Sequence, residues 1–277
     1  MLLEDLKSLL KKYNLWAKKR LGQNFLIDEQ VLCSIIEAAE LKKSDNIIEV
    51  GPGTGFLTDK LLEKAGNVVA IEQDKDMVRI LNERFDEVNN LKVVNADVLK
   101  TRSQNSGFRS QTYKVVANIP YYITSPLLKH FLQSDNRPEM MVLLVQKEVA
   151  EKICGISGKS VITIETQIFG EPEIIEFVPS NAFYPAPKVN SAILRIRVYK
   201  SPLVPVDGLR DFLRIVKFGF SQKRKKLKSS LAAGLRMKSS EIKEILIKTG
   251  IDPDLRAENL SIENWQKLAK ALTKLKK

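Results

Sequence analysis

The 277-residue chain has one histidine, His130, and two cysteines, Cys33 and Cys154. So few imidazoles and thiols exclude a His-rich metal centre and a Cys/His zinc site, and no metal is expected. Two cysteines give no disulfide framework and suit a reducing, cytoplasmic setting. No apolar run reaches the roughly 20 residues of a membrane span. Glu4, Asp5 and Lys7 interrupt the N-terminal leucines, unlike the apolar stretch of a signal peptide. His130 falls in Leu127–Leu132, which reads as a helix, and is expected to be structural. Acidic residues are missing altogether between Lys217 and Lys238, a segment that carries Lys223, Arg224, Lys225, Lys226, Lys228 and Arg236. With a net charge of +12, that concentration on expected helices points to a polyanion, above all the phosphate backbone of a nucleic acid.

What is present centres on Gly51-Pro52-Gly53-Thr54-Gly55. It follows the β-branched run Asn46–Val50 and precedes Phe56, Leu57, Leu61 and Leu62 at helical spacing. Strand, glycine turn and helix in that order open a nucleotide-binding βαβ unit. A second strand, Asn67–Ile71, delivers Glu72, an acid placed to accept hydrogen bonds from ribose hydroxyls. The G-x-G-x-G spacing is not the G-x-G-x-x-G of dinucleotide sites, and no P-loop Lys-Ser or Lys-Thr follows. These residues favour an adenosine cofactor without phosphate, such as S-adenosyl-L-methionine; a dinucleotide or a ligand-free turn stays open at this point.

The flanking chain adds detail. Leu2–Tyr13 has the apolar stripe of an amphipathic helix. Lys18, Lys19 and Arg20 then lead into Leu21–Asp28, either a phosphate-binding loop or a solvated linker, and Asp28 suits a helix N-cap. Helix 75–85 and strand 91–94 come next, and Asp97 is placed either to accept from an adenine amino group or to cap a turn. Thr101–Thr112 reads as a polar surface loop. A strand at 113–117 ends in Asn118-Ile119-Pro120-Tyr121. The asparagine carbonyl and a main-chain carbonyl can accept both hydrogens of an exocyclic amine, and tyrosine offers a ring face to a base. That set suits an adenine N6 as methyl acceptor, with a strand-ending turn as the plainer alternative. Strands are expected at 140–145, 173–178 and 192–198. Phe183, in the proline-stiffened loop Asn181–Val189, can cover the second face of a flipped base or simply stiffen the loop. Ser201–Pro205 marks a boundary, giving domains 1–200 and 201–277, the second helical and basic. No internal repeat or low-complexity tract appears.

With these motifs in order, the chain strongly resembles the KsgA/RsmA family of rRNA adenine N6,N6-dimethyltransferases, from Leu21 to about Leu272. Leu21–Leu26, Gly51–Gly55, Ile71-Glu72, Ala96-Asp97, Asn118–Tyr121, Val145–Val149, Phe183–Val189, Phe220–Lys225 and Arg256–Leu260 carry the likeness. The resemblance implies an α/β, Rossmann-like seven-stranded methyltransferase domain with a small C-terminal helical domain. It implies transfer of methyl groups from S-adenosyl-L-methionine to N6 of two adjacent adenosines near the 3′ end of 16S rRNA, with a role in 30S subunit assembly. Asn24, Leu26, Gly51, Glu72, Asp97 and Asn118 would contact the cofactor; Asn118, Tyr121 and Phe183 would handle the adenine. A monomer is expected. One departure is the short Gly155–Ser160 stretch, where relatives usually carry a longer loop. The Erm-type 23S rRNA methyltransferases are the nearest rival, and a non-catalytic assembly or transcription factor on the same fold is a rival of another class.

Overall fold

The computed structural model describes residues 2–18, 21–101 and 111–274. Lys19 and Arg20 of the basic triplet, and most of the polar loop at 101–112, lie outside the described residues. In chain order the first half forms α1 (Leu2–Lys12), β1 (Phe25–Leu26), α2 (Glu29–Ala38), β2 (Asn46–Val50), α3 (Phe56–Lys64), β3 (Asn67–Glu72), α4 (Lys75–Arg84), β4 (Leu91–Asn95) and β5 (Lys114–Asn118). The second half forms α5 (Thr124–Leu132), β6 (Met140–Gln146), α6 (Lys147–Cys154), α7 (Val161–Gln167), β7 (Gly170–Val178), β8 (Phe183–Tyr184) and β9 (Ser191–Val198). The helices α8 (Val206–Phe220), α9 (Leu227–Leu235), α10 (Ser239–Lys248) and α11 (Ile262–Lys274) complete it.

The apolar, β-branched runs become buried strands because a sheet covered on both faces leaves no polar alternation. Seven of them form one sheet in the order β4-β3-β2-β5-β6-β9-β7. β2 runs parallel to β3 on one side and to β5 on the other, so the winding reverses at β2. The crevice beyond the carboxyl ends of β2 and β5 is therefore the expected ligand position of an open α/β sheet. β9 lies antiparallel to β6, from Met140↔Arg197 to Gln146↔Ser191, so the sheet is mixed rather than wholly parallel.

Local chemistry sets the helix positions. Asp28 caps α2 by accepting the N–H groups of Gln30 and Val31 at 2.9 and 3.2 Å. α2 then buries Val31, Leu32 and Ile35 in a cluster shared with Ile47, Val116 and Leu144. α1 buries Leu6 and Leu10 against Phe25, Met77 and Ile80. At about 1.5–3 kcal/mol for each fully buried leucine, this docking outweighs any intrinsic preference of an 11-residue helix.

The contacts divide the chain into two compact units, 1–150 with 172–198, and 151–171 with 199–277. The segment 151–171, assigned from sequence to the first domain, groups with the C-terminal helices. In that second unit Trp265 is fully buried and stacks on Phe220 at 5.7 Å between ring centroids. Gly219 permits this approach, since a Cβ there would lie 2.3 Å from the indole. The short stretch 155–160 is held within the same unit by Lys159, whose Nζ donates to the Leu260 carbonyl at 2.9 Å. Among the described residues, no helix is long and apolar enough to cross a membrane.

Candidate active site

A cleft opens at the β2 switch point, between the glycine loop, the end of β3, the Asn118–Tyr121 segment and the Leu21–Leu26 loop. Gly51, Gly53 and Gly55 all have positive φ, from +58° to +91°. At Gly55 the restriction is double: φ is +91°, and a Cβ would meet the Phe85 ring at 2.7 Å. Gly51, Pro52, Gly53 and Thr54 line the cleft, and Gly55 leads directly into α3.

Glu72 ends β3 and is buried. Its Oε2 accepts the Gly53 N–H at 3.2 Å and its Oε1 the Asp74 N–H at 2.8 Å. Burial raises its pKa, and these backbone donors pull it back in part. A carboxylate can accept more hydrogen bonds than these donors supply, so Glu72 can brace the glycine loop and still accept from a ligand hydroxyl.

The Leu21–Leu26 loop is fastened above the cleft from two sides. Lys18 Nζ bridges Asp74 and Asp76, each at 2.6 Å, and Gln23 donates to Asp74 at 3.0 Å. Lys18 is thus spent on a latch within the chain, neither a free phosphate ligand nor a solvated linker. Phe25 and Leu26 pair with Tyr184 and Phe183 in a two-stranded antiparallel ribbon that the sequence reading did not anticipate.

At the end of β5, Asn118 donates from Nδ2 to the Asn24 carbonyl at 3.2 Å, leaving its Oδ1 without a partner among the described residues. The Pro120 carbonyl accepts from Ile123 at 3.1 Å, whereas that of Ile119 accepts no hydrogen bond among the described residues. Two acceptors, Asn118 Oδ1 and the Ile119 carbonyl, therefore stand open in one short segment of the cleft wall. Tyr121 shares a 2.7 Å hydrogen bond with Ser191 Oγ, and burial raises its pKa. A neutral, tethered phenol serves as a ring surface rather than as a base.

Asn24, Leu26, Gly51, Glu72, Asn118 and Tyr121 all line the cleft. Asp97 does not. Its Oδ1 accepts the Leu99 N–H at 3.0 Å in a turn after β4, the capping arrangement that sequence left as an equal alternative. Phe183 is 2% exposed and packed in the core beside Leu26, so its ring has no open face in this structure. His130 is half-buried at the end of α5 with its pKa lowered by burial, and it makes an edge contact with Phe131. Among the described residues, no group of three His, Cys, Asp or Glu side chains could hold a metal ion.

Sequence reasoning missed Glu49. Read only as part of a buried strand, it lines the cleft, and its Oε2 accepts from the Thr58 hydroxyl at 2.7 Å. Its Oε1 is buried with no hydrogen-bond partner among the described residues. Burial pushes its pKa up to about 8. A carboxyl inside an otherwise apolar strand, two residues before the glycine turn, was the available signal. An orphaned carboxyl oxygen fits the α-ammonium of S-adenosylmethionine, while the Glu72 carboxylate fits the ribose hydroxyls. The residues present thus match an adenosine cofactor bearing an amino acid tail.

A mixed seven-stranded sheet, a glycine loop at its switch point and an acid ending the next strand define the S-adenosylmethionine-dependent methyltransferases. Comparison with known proteins narrows this class. Residues 14–274 match the family model described as ribosomal RNA adenine dimethylase, and the chain belongs to that family. It is 40% identical over 273 residues to ribosomal RNA small subunit methyltransferase A of Dehalococcoides mccartyi, covering 98% of this chain and 94% of the relative. The protein of the same name from Lactococcus lactis is 39% identical over 279 residues, covering 98% and 95%. Among solved structures, a dimethyladenosine transferase from Plasmodium falciparum superposes with a TM-score of 0.77 at 28% identity, covering 90% of this chain and 98% of the other. The 23S rRNA methyltransferase ErmE gives 0.73 at 30% identity, covering 90% and 100%. The chain is accordingly an enzyme that uses S-adenosylmethionine as methyl donor.

Proposed function

We propose that this protein dimethylates N6 of two adjacent adenosines near the 3′ end of 16S rRNA, acting on the 30S subunit or its precursor during assembly. The observation that carries the acceptor chemistry is the open pair at the end of β5, Asn118 Oδ1 and the Ile119 carbonyl. S-adenosylmethionine supplies an electrophilic methyl group on a sulfonium. Within the cleft, Glu49 would hold its ammonium, Glu72 its ribose, and Asn24, Leu26 and Gly51 would form the walls around it. Asp97 belongs to the same proposal as a partner of the adenine amino group, although it lies outside the cleft lining and its second oxygen, 3.4 Å from Lys100 Nζ, would have to exchange that exposed ion pair for the ligand.

The acceptor adenosine has to leave its stack to enter such a cleft. Asn118 and the Ile119 carbonyl would then accept the two N6 hydrogens, drawing the nitrogen lone pair out of the ring and aiming it. The Tyr121 face would favour the positive charge that passes to nitrogen. No strong base is needed, because the methylated nitrogen becomes acidic and sheds its proton. Phe183 stays in the proposal as the ring behind Leu26; its burial argues for shaping the wall rather than covering the base. Most of the acceleration would come from positioning.

The exposed Lys223, Arg224 and Lys225 would bind the RNA backbone. The protein would work as a monomer in the cytoplasm, a reducing setting that its two free cysteines suit. Likeness to ErmE favours 23S rRNA as the second reading, and one experiment separates the two. Labelled S-adenosylmethionine is offered to small subunits lacking the modification and, in parallel, to 23S rRNA. N6,N6-dimethyladenosine only in the small-subunit digest is the expected result; label in 23S rRNA moves the protein to the other branch. No label in either, with cofactor bound, leaves an assembly role without catalysis.

A further inference from the structure

Trp16 is 74% exposed, more than any other large hydrophobic side chain among the described residues. It does not stand alone. With Tyr184, itself 39% exposed, it borders a groove between the end of α1 and the loop after β8. Lys7 and Lys11, one helical turn apart on α1, supply the charge along that groove, and Asn14 and Pro185 complete the rim. No acidic residue lines it. Lys7 has a loose 3.5 Å ion pair with exposed Glu4, and Lys11 has no ion pair among the described residues.

The position of this groove follows from strand alternation. Along β8 successive side chains point to opposite faces, so Phe183 enters the core while Tyr184 faces outward. Tyr184 pairs in register with Phe25, which itself lines the cleft. The groove therefore lies one strand away from the cleft wall. Two ring surfaces bordered by ammonium groups without acids are what single-stranded nucleic acids bind: rings stack with bases of any sequence, and lysines neutralise phosphates.

We propose that the Trp16–Tyr184 groove binds an unstacked base and its phosphate in the single-stranded RNA adjoining the target adenosine. This rests on the rRNA reading above and gives the substrate a second point of attachment. The groove would hold the strand while successive adenosines enter the cleft. Charge complementarity and continuity with the cleft favour RNA over an apolar protein segment, which would leave both lysines facing it unpaired.

The two tryptophans make this measurable. Trp265 is fully buried, so emission at long wavelength reports Trp16. The full chain is titrated with an adenine-rich single-stranded oligoribonucleotide, binding being followed independently by anisotropy of a labelled copy. Saturable quenching that weakens with salt and is smaller for duplex RNA is expected. Trp16→Ala should lower oligonucleotide affinity roughly 5- to 150-fold, the range expected for removing one base–ring stack, with cofactor affinity unchanged. Trp16→Phe should recover part of that affinity. Binding by anisotropy with unchanged emission, and equal affinity in Trp16→Ala, overturns the groove while leaving the rRNA reading intact. Absence of oligonucleotide binding overturns the groove, while the rRNA reading still stands or falls on methyl transfer to small subunits. Quenching by small-subunit proteins freed of rRNA, with none by RNA, assigns the groove to a protein partner and also overturns the proposal.

Discussion

The cleft in the first unit and the turn between α8 and α9 in the second deal with polar groups in opposite ways. Around the cleft several key polar groups are committed to fixed partners. Both Glu72 oxygens take backbone donors, the Asn118 Nδ2 is tied to Asn24, and the Tyr121 hydroxyl is tied to Ser191. Among the acceptors that stay open in the described residues are Asn118 Oδ1, the Ile119 carbonyl and Glu49 Oε1. In the turn, Lys223, Arg224 and Lys225 are exposed and form no ion pair among the described residues. Their neighbours Lys226 and Lys228 share Asp254 at 3.1 and 2.7 Å, which lowers the Asp254 pKa. Catalysis by positioning needs groups fixed before the ligand arrives. Capture of a polyanion needs charges that nothing else has neutralised.

The sharpest way to break this contrast is at Asn118. Asn118→Ala removes an open acceptor and the tie to Asn24 together. We expect kcat to fall on the order of 10²- to 10³-fold with cofactor affinity changed far less. A matching loss in cofactor affinity, measured by calorimetry, would make Asn118 a binding residue instead. Next in size is Glu72→Ala, which should weaken cofactor binding roughly 10- to 100-fold, the scale of one or two hydrogen bonds to a charged group. Its loss also frees the Gly53 and Asp74 N–H groups, so a modest fall in thermal stability should accompany it. Unchanged affinity would remove Glu72 from the site.

How much of this contrast was legible in the sequence depends on the range of the interaction. The order of strands and helices, the Asp28 cap and the Gly51–Gly55 turn were readable, because apolar period and local backbone demands fix them. The cleft lining at Gly51, Glu72 and Asn118 followed, since strand ends in a parallel sheet converge on one edge. What was not readable depended on partners far apart in the chain. The β1–β8 ribbon joins residues about 160 positions apart by two short pairs with no periodic signature. The pairing of Lys18 with Asp74 and Asp76 turned an apparent phosphate ligand into a latch. Phe183 looked available in a loop, yet outward and inward faces of a two-residue strand are settled only by its partner. Of the basic residues expected on helices, Lys228 lies on α9 and Lys226 and Arg236 cap it, whereas Lys223, Arg224 and Lys225 occupy the turn before it.

The turn offers the third test. Replacing Lys223, Arg224 and Lys225 together by glutamine should lower RNA affinity by tens of fold near 0.15 M salt. The slope of log affinity against log salt should lessen by about 2, at about 0.7 for each single-strand phosphate no longer neutralised. Cofactor affinity should not move. Lys226→Gln, already paired with Asp254, should do much less; equal effects for the paired and unpaired lysines would erase the distinction between committed and free charge.

Glu49 gives the smallest effect and the most specific one. With its pKa at about 8, most copies of the free protein hold this carboxyl protonated at pH 7. An ammonium brought beside the unpartnered oxygen favours the carboxylate, so cofactor binding at pH 7 should release close to one proton. Calorimetry in two buffers of different ionisation enthalpy reads that number directly. Affinity should rise about two- to threefold between pH 7 and 8 as the free protein surrenders the proton on its own, and fall again above that as the cofactor's α-ammonium, with a pKa of about 8, loses its proton. Stability moves the other way. A carboxyl whose folded pKa lies above its unfolded value contributes most below about pH 4.5 and loses that contribution progressively up to about pH 8. Glu49→Gln cannot titrate, so it should abolish both the proton release and this part of the stability slope. Proton release that survives in Glu49→Gln would place the titrating group elsewhere and return Glu49 to the core of the strand.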